Sequence, residues 1–187
     1  MKYLIVGLGN IGSEYTNTRH NIGFKVLDAL CEQCGGTFTS ERYGSVASIK
    51  HKGRTLVLVK PSTYMNLSGK AVKYWMDREK IPLDKLMVIV DDLAIPFGSV
   101  RIRKKGSDAG HNGLKNINEL LSTQSYIRTR MGIGSDFAKG FQVDYVLGEW
   151  DDNESKELPS FIDKACKAIV SFATIGIDRT MNECNGK

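Results

Sequence analysis

Short apolar runs alternate along the chain with segments whose apolar residues recur at helical spacing. The run LMVIV at residues 86–90 contains no polar residue, which is typical of a strand buried on both faces of a sheet. The segment NIGFKVLDALCEQ at residues 21–33 instead gathers its apolar side chains on one helical face. This alternation predicts an α/β fold over residues 1–187, as a single domain with a twisted, mixed and largely parallel sheet flanked by helices.

The remaining segments support the same fold class. The apolar runs VASIK and TLVLV flank HKGR, which indicates a hairpin. The segments KYLIV, SVRIRK and YIRTRMGIG are predicted strands, and SGKAVKYWMDREK and NGLKNINELL are predicted helices. The C-terminal region is also predicted to be helical, with Pro159 in the first turn of a helix, where its missing N–H costs nothing.

Composition limits the class of protein. The chain has 187 residues, of which 41% are hydrophobic and 25% charged. No apolar run approaches the roughly 20 residues of a membrane-spanning helix, and the N-terminus lacks the pattern of a secretory signal. We therefore expect a cytoplasmic protein with no membrane partner. The cysteines are expected to be reduced thiols rather than metal ligands, although Cys31 and Cys34 form a C-x-x-C pair.

Positive charge is concentrated in the first four fifths of the chain. Residues 1–148 carry a net charge of +8 and residues 149–187 a net charge of −3, which together give the +5 of the whole chain. The strands containing RIRKK and IRTR alternate, so Arg101 and Arg103 are expected on one face, as are Arg128 and Arg130. A solvated basic face and a binding surface for an anionic partner such as RNA both fit this pattern.

The glycines of GLGNIG near the N-terminus resemble a dinucleotide-binding fingerprint, but its context is wrong. That fingerprint requires a helix to begin at the last glycine, so that the pyrophosphate meets the helix N-terminus. Here Gly12 is followed by the polar stretch SEYTNTRH, and the helix is expected only near Asn21. The acid at the appropriate distance, Asp28, falls within that helix. The glycines are therefore predicted to form a sharp turn that displays Asn10 and a polar loop ending in His20.

Four loops that follow predicted strands carry polar groups suited to catalysis. Histidine accepts a proton from water near neutral pH, and a carboxylate on its other nitrogen sets the tautomer. Asparagine amides can donate hydrogen bonds to a developing oxyanion. Because no serine or cysteine lies in a nucleophile-elbow pattern, water is the expected nucleophile of a hydrolase. The residues concerned are Asn10 and His20, Met65 and Asn66, Asp91, and His111 and Asn112.

Several motifs taken together resemble bacterial peptidyl-tRNA hydrolases over nearly the whole chain. They are GLGNIGSEYTNTRHNIG, KPSTYMNLSG, VDDLAIPFG, RIRKKGSDAGHNGLKNI, RMGIG and VLGEW. The resemblance implies one α/β domain, a monomer, and hydrolysis of the ester between a peptide and the 3′ ribose of tRNA, which recycles tRNA during translation. No cofactor and no metal are expected, because the chain offers no convincing cluster of metal ligands and a histidine base with asparagine donors can act without one.

The resemblance also implies roles for individual residues. His20 would be the general base, Asp91 would orient it, and Asn10 would help to distinguish peptidyl-tRNA from aminoacyl-tRNA. Peptide and the tRNA 3′ end would contact the following residues: Tyr15, Tyr64, Met65, Asn66, His111 and Asn112. Arg103 and Arg130 would bind the terminal phosphate of the tRNA.

The chain departs from the family pattern in its loops. Ile11 stands where proline is common, Ala94 where a second acid is common, and Asp108 in a loop that is usually small and neutral.

Two other functions remain open from the residues: an RNA-binding protein without catalysis, and a nicotinamide-dependent dehydrogenase. An oriented base argues against the first, and the missing helix after Gly12 argues against the second.

Overall fold

A computed structural model gives the structure of the chain and describes residues 1–185. Its strands are β1 (Lys2–Gly7), β2 (Thr39–Glu41), β3 (Gly44–His51), β4 (Arg54–Pro61), β5 (Leu86–Asp92), β6 (Val100–Arg103) and β7 (Ile127–Gly132). Its helices are α1 (Ile22–Gln33), α2 (Ser68–Glu79), α3 (Asn112–Leu121), α4 (Gln142–Val146), α5 (Asp152–Ile175) and α6 (Ile177–Asn185).

The seven strands form one sheet in the order β2-β3-β4-β1-β5-β7-β6. Strands β4, β1, β5 and β7 are parallel neighbours, whereas β3 and β6 run antiparallel to the strands beside them. The predicted hairpin is β3–β4. The predicted class, an α/β fold with a mixed and largely parallel sheet, is therefore confirmed.

Both faces of the sheet are covered, which explains why its central strands are apolar throughout. On one face, side chains such as Ile5, Ile89 and Met131 pack with α1 and α5. On the other face, Val6 and Val88 belong to a second cluster that includes residues of α2 and α3. A parallel sheet covered on both faces needs such continuous apolar runs, and the charged residues of β1 and β5 accordingly lie only at the strand ends.

The glycines after β1 permit close packing and do not form a nucleotide loop. A Cβ at Gly7 would lie 2.3 Å from the carbonyl oxygen of Gly23, so β1 and α1 could not approach this closely with larger residues. Gly12 has φ = +115°, a conformation that glycine adopts readily. After it the chain forms two short 3-10 turns before α1 begins. The prediction that no helix follows these glycines directly is confirmed.

Strand β6 differs from the prediction in a way that matters for the site. The sequence predicted that the GHNG turn follows the carboxyl end of the basic strand, as the other candidate loops follow theirs. Because β6 is antiparallel, Arg103 pairs with Arg128 near the start of β7, so β6 ends at the opposite edge. Residues 104–111 carry the chain back to the carboxyl edge, where His111 meets Asp91. Strand direction depends on long-range pairing, which the local sequence does not reveal.

Pro159 lies inside α5 rather than in its first turn, so this prediction is wrong. Helix α5 begins earlier, because Asp151 and Glu154 form a capping box: each side chain accepts a hydrogen bond from the backbone N–H of the other. This satisfies two backbone donors that would otherwise be unpaired at the helix start. The cap therefore sets the start of α5, with the proline accepted within it.

The outer edge of β6 is covered by the end of α6. The carboxamide of Asn185 accepts a hydrogen bond from the N–H of Ile102 at 2.8 Å and donates one to its carbonyl at 2.9 Å. This side chain occupies the backbone groups through which an exposed edge strand would pair with another chain.

Within residues 1–185, no helix has both the length and the apolar character needed to cross a membrane.

Candidate active site

Asp91, at the carboxyl end of β5, lies between two histidines. Its Oδ2 is 2.8 Å from Nδ1 of His20, and its Oδ1 is 2.9 Å from Nε2 of His111. His20 sits in the 3-10 turn Arg19–Asn21 before α1, and His111 is the N-cap of α3. Three segments that are distant in sequence therefore meet at one carboxylate.

The hydrogen bonds of His111 determine which of its nitrogens carries the proton. Its Nδ1 accepts from the backbone N–H of Gly113 at 3.1 Å and of Leu114 at 3.4 Å, so this nitrogen has no hydrogen. The proton of the neutral ring is then on Nε2, which donates to Asp91. In the same way Nδ1 of His20 donates to Asp91, which leaves Nε2 of His20 as the nitrogen that can accept a proton.

The two histidines change the pKa of Asp91, and Asp91 in turn changes the pKa of His20. Burial alone would raise the pKa of Asp91, which is 6% exposed, but the charges and hydrogen bonds of His20 and His111 lower that pKa well below its usual range. Burial alone would lower the pKa of His20, but the charge and hydrogen bond of Asp91 raise it above the ordinary 6.5. Asp91 is thus an anion that stabilises the protonated form of His20.

The same three residues also form a group with suitable atoms for a metal ion. Their ligand atoms lie within 4.8 Å of one another, a convergence that the sequence did not reveal. The hydrogen bonding does not fit a metal site, because Nε2 of His111 must carry a proton while its Nδ1 accepts from backbone N–H groups. A metal ligand needs that nitrogen unprotonated. The absence of a metal requirement stays a prediction, which activity in the presence of a chelator tests.

A cleft with a volume of about 260 Å³ opens over this cluster. His20 and Asp91 lie in its wall, together with the returning segment 106–112 and three residues of α4. Asp92 and three arginines, Arg103, Arg128 and Arg130, also line it. The structure therefore brings together the predicted base, its carboxylate, Asn112 and the two arginines predicted to bind phosphate, with Arg128 beside them.

Asn10 lies in the wall of a neighbouring hollow of about 280 Å³, which it shares with Asn21 and Lys60. The carboxamide of Asn21 accepts from the N–H of Asn10 at 2.8 Å and donates to its carbonyl at 2.9 Å. These two bonds hold the backbone of Asn10 against Asn21, the residue that follows His20. Asn10 is thus near the base, but it is not among the residues that line the cleft.

The other predicted contact residues are spread around this edge of the sheet and do not line the cleft. Met65 is buried against α3, where a Cβ on Gly113 would lie 2.9 Å from its Sδ. Tyr64 is 76% exposed and Asn66 is exposed beside it. Tyr15 is half-buried in the 3-10 turn that follows the glycines.

The arginines of β6 and β7 share one face of the sheet, as predicted. Arg101 pairs with Arg130, and Arg103 with Arg128, so all four side chains start from the same face. Arg128 is only 1% exposed; its guanidinium donates to the carbonyls of Gly106 and Gln124 at 3.0 and 2.6 Å. It holds the returning segment 106–112 against β7. Arg128 is buried, whereas Arg101, Arg103 and Arg130 are at least partly exposed.

Arg103 and Arg130 reach the cleft from this basic face. Arg103 is exposed, whereas Arg130 is partly buried and lies 3.3 Å from Oδ2 of Asp92. Burial and then the charge of Arg103 lower the pKa of Arg130, with Asp92 opposing them. Because Asp92 is the one carboxylate among residues 1–185 that is bonded to these arginines, positive charge is in surplus at this side of the cleft. No role was predicted for Asp92, which is the second acid of the VDDLAIPFG motif.

Comparisons with known proteins point to one family. A family model described as peptidyl-tRNA hydrolase matches residues 4–187. Peptidyl-tRNA hydrolases of Cytophaga hutchinsonii and Parabacteroides distasonis are 60% and 58% identical to the chain, over 100% of both chains in each case. A crystal structure of peptidyl-tRNA hydrolase from Acinetobacter baumannii matches with a TM-score of 0.92 and 32% identity, covering 98% of this chain and 94% of that one.

The fold and these comparisons define an enzyme of the hydrolase class built on a single mixed α/β sheet. The chain belongs to the peptidyl-tRNA hydrolase family, so the resemblance of its motifs is confirmed. The alternatives of a dehydrogenase and of a non-catalytic RNA-binding protein are thereby set aside.

Proposed function

We propose that this chain hydrolyses the ester between the peptide and the 3′ ribose of peptidyl-tRNA, using a water molecule activated by His20. The observation that carries the proposal is the position of Asp91 between two histidines at the base of the cleft. This arrangement leaves one imidazole nitrogen unprotonated and directed away from the carboxylate. It supplies an oriented base, with the substrate class given by the family.

The reaction follows from the protonation states of the cluster. As the oxygen of water attacks the ester carbonyl carbon, Nε2 of His20 takes the proton, and Asp91 stabilises the resulting imidazolium. The carbonyl oxygen becomes an oxyanion, to which the carboxamide of Asn112 can donate. Collapse of this intermediate breaks the bond to the ribose 3′ oxygen, which takes the proton back from His20. The products are the free peptide acid and a tRNA with a 3′ hydroxyl.

His111 supports this chemistry through Asp91. Its Nε2–H donates to the carboxylate oxygen that His20 does not use, while its Nδ1 caps α3. The carboxylate therefore cannot rotate without losing one of two hydrogen bonds. We assign His111 a positioning role, and Asn10, Tyr15, Tyr64, Met65 and Asn66 the contacts to peptide and tRNA 3′ end that the family resemblance implies.

The proposed activity is tested by incubating the purified protein with N-blocked peptidyl-tRNA and with aminoacyl-tRNA. The expected result is release of peptide from the first substrate and little cleavage of the second. Equal hydrolysis of both would contradict the assignment of Asn10, and no hydrolysis of either would contradict the proposed function. A cytoplasmic location and a monomeric state complete the proposal, and gel filtration tests the second of these.

Replacing Arg103 and Arg130 together by alanine is expected to raise KM for peptidyl-tRNA roughly tenfold or more, since a hydrogen bond to a charged group is worth about 1.5–3 kcal/mol. The dependence of KM on salt should become flatter, because each phosphate contact releases counterions. The value of kcat should barely change, since these contacts are the same in the ground and transition states. Steady-state kinetics over a range of salt concentrations measure all three effects.

A small ester without the tRNA phosphate should be cleaved equally by the double variant and the parent. Arg54→Ala is a matched control, because Arg54 is in the β3–β4 hairpin and its guanidinium bonds the carbonyl of Lys52. The phosphate assignment is wrong if the double variant keeps the parental KM and salt dependence on full-length substrate.

A further inference from the structure

The residue before His20 makes a buried network on the other side of the same 3-10 turn. Arg19 is 9% exposed, and its Nη2 donates to Oε1 of Glu154 at 2.8 Å. Its Nη1 donates to the carbonyl of Tyr145 at 3.1 Å, and its backbone N–H donates to the carbonyl of Gly148 at 3.0 Å. One side chain thus connects the turn that carries His20 to α4 and to the start of α5.

Glu154 is fixed from both sides. The oxygen that receives the guanidinium, Oε1, also accepts the backbone N–H of Asp151 at 2.9 Å. The N–H of Glu154 donates in turn to Oδ1 of Asp151 at 2.7 Å. Because these bonds set the rotamer of Glu154, its carboxylate offers Arg19 a rigid acceptor. A mobile surface carboxylate could not define the position of the guanidinium in this way.

The same guanidinium lies over the ring of Tyr145 in α4, 4.2 Å from the centroid. The hydroxyl of Tyr145 donates to the carbonyl of Ile133 at 2.6 Å, which ties α4 to the chain just after β7. Helix α4 contributes Gln142, Val143 and Val146 to the wall of the cleft. Arg19 therefore contacts the element that forms one side of the cleft as well as the turn that carries the proposed base.

We propose that Arg19 is a positioning residue for the hydrolysis: its contacts with Glu154 and Tyr145 fix His20 against Asp91 and hold α4 at the side of the cleft. The proposal rests on the proposed function of His20. Buried ion pairs contribute little net stability, because desolvation offsets the attraction of the charges. Here Nε of Arg19 is also buried without a hydrogen-bond partner among the described residues. The ion pair of Arg19 and Glu154 therefore fixes the position of the turn more than it stabilises the fold.

The positioning effect of Arg19 can be measured as a change in the pKa of His20. The charged and titratable groups that face its ring are Asp91 from β5 and His111 from the start of α3. Arg19, in the same turn, is paired with Glu154. If the turn loosens, contact with Asp91 weakens, and the pKa of His20 falls from its raised value toward the ordinary 6.5. A residue that only stabilises the fold would leave this pKa unchanged in the folded protein.

The test compares Glu154→Ala with Glu154→Gln in the full chain. Glutamine retains an acceptor for both Asp151 and Arg19, whereas alanine removes it. The chain has three histidines, so NMR titration of the imidazole carbons resolves His20, with His51 in the β3–β4 hairpin as an internal reference. Asp163→Ala is the matched control, because Asp163 makes an exposed ion pair with Lys167 on the same helix α5.

Glu154→Ala is expected to lower the pKa of His20 and to reduce kcat about tenfold or more, as small displacements of a reacting group do. Glu154→Gln should retain most of the parental kcat, and Asp163→Ala should behave as the parent. If Glu154→Ala does not fold at the assay temperature, Arg19→Lys gives the same readout, because an ammonium cannot serve both acceptors with the geometry of the guanidinium fork.

An unchanged His20 titration in folded Glu154→Ala and Arg19→Lys proteins would overturn the proposal, even if both melt at lower temperature. This outcome is distinct from failure of the proposed function, because the NMR titration requires no activity. If His20→Ala retained the parental rate while Glu154→Ala still shifted the titration, the base assignment would fail and the positional link would stand.

Discussion

Replacing His20 by alanine is expected to remove nearly all hydrolysis of peptidyl-tRNA. Nε2 of His20 is the one nitrogen of the His20–Asp91–His111 cluster left free to accept a proton from water. Loss of a general base typically costs about 10² to 10⁴ in rate. Binding of tRNA should persist, because the arginines of β6 and β7 are unaffected. Single-turnover kinetics at saturating enzyme separate the chemical step from binding.

His51→Ala is the control for this variant, since His51 lies at the end of β3 and does not line the cleft. It should retain the parental rate. Near-normal turnover by His20→Ala would mean that water is activated elsewhere, and the assignment of the base would be wrong.

Replacing Asp91 by asparagine is expected to give the second largest loss, about 10 to 10³ in kcat, by analogy with other histidine–carboxylate pairs. Both imidazoles donate to this carboxylate, and an amide has only one oxygen to accept them. One histidine then loses its partner or changes its tautomer, and the imidazolium formed during the reaction loses its counter-charge. The effect should fall on kcat, because Asp91 is buried and both of its carboxylate oxygens are bonded to histidines rather than available to the tRNA.

Asp84→Asn is the matched control, because Asp84 is exposed and lies just before the other end of β5. It should leave both kcat and KM unchanged. An Asp91→Asn variant with parental kcat would show that the carboxylate neither orients nor stabilises the base.

The local sequence predicted those features that depend on local physics. The apolar run of β5 and the helical spacing of α1 each identify an element, because burial on two faces or on one stripe leaves a periodic pattern. The rejection of a dinucleotide loop also followed from local sequence. It required only that Gly12 be followed by polar residues without helical periodicity, and the structure has two short turns there.

Features that depend on long-range pairing were not predictable in this way. The antiparallel direction of β6 comes from its pairing with β7, and it displaced the GHNG turn from the place expected for it. Strand alternation treated Arg128 and Arg130 alike, and both line the cleft, but Arg130 has a carboxylate partner whereas Arg128 binds backbone carbonyls. Alternation shows that two residues share a face, but it does not show what each will contact.

The site was predicted as a set of residue types and not as an arrangement. Asn10, His20, Asp91 and Asn112 were recognised as polar groups after strands, and the structure brings the last three to one cleft while Asn10 lines the next hollow. The bridging of Asp91 by two histidines required knowledge of where residues 104–111 return. The role of Arg19 had no sequence signal, since an arginine in a polar loop is usually solvated.

We propose that His20, with its pKa raised by Asp91, is the base that activates water. The most direct test measures the pH dependence of kcat/KM for the parent and for Asp91→Asn on the same peptidyl-tRNA. Because only neutral His20 can accept the proton, the parental rate should rise with pH through a pKa above 6.5. In Asp91→Asn, the carboxylate no longer opposes the lowering of the His20 pKa by burial. The rate should therefore rise at a lower pH, and the maximal rate should be smaller. Two results would contradict this assignment: a parental rate that is independent of pH across this range, or a rate in Asp91→Asn that rises at the same pH as in the parent.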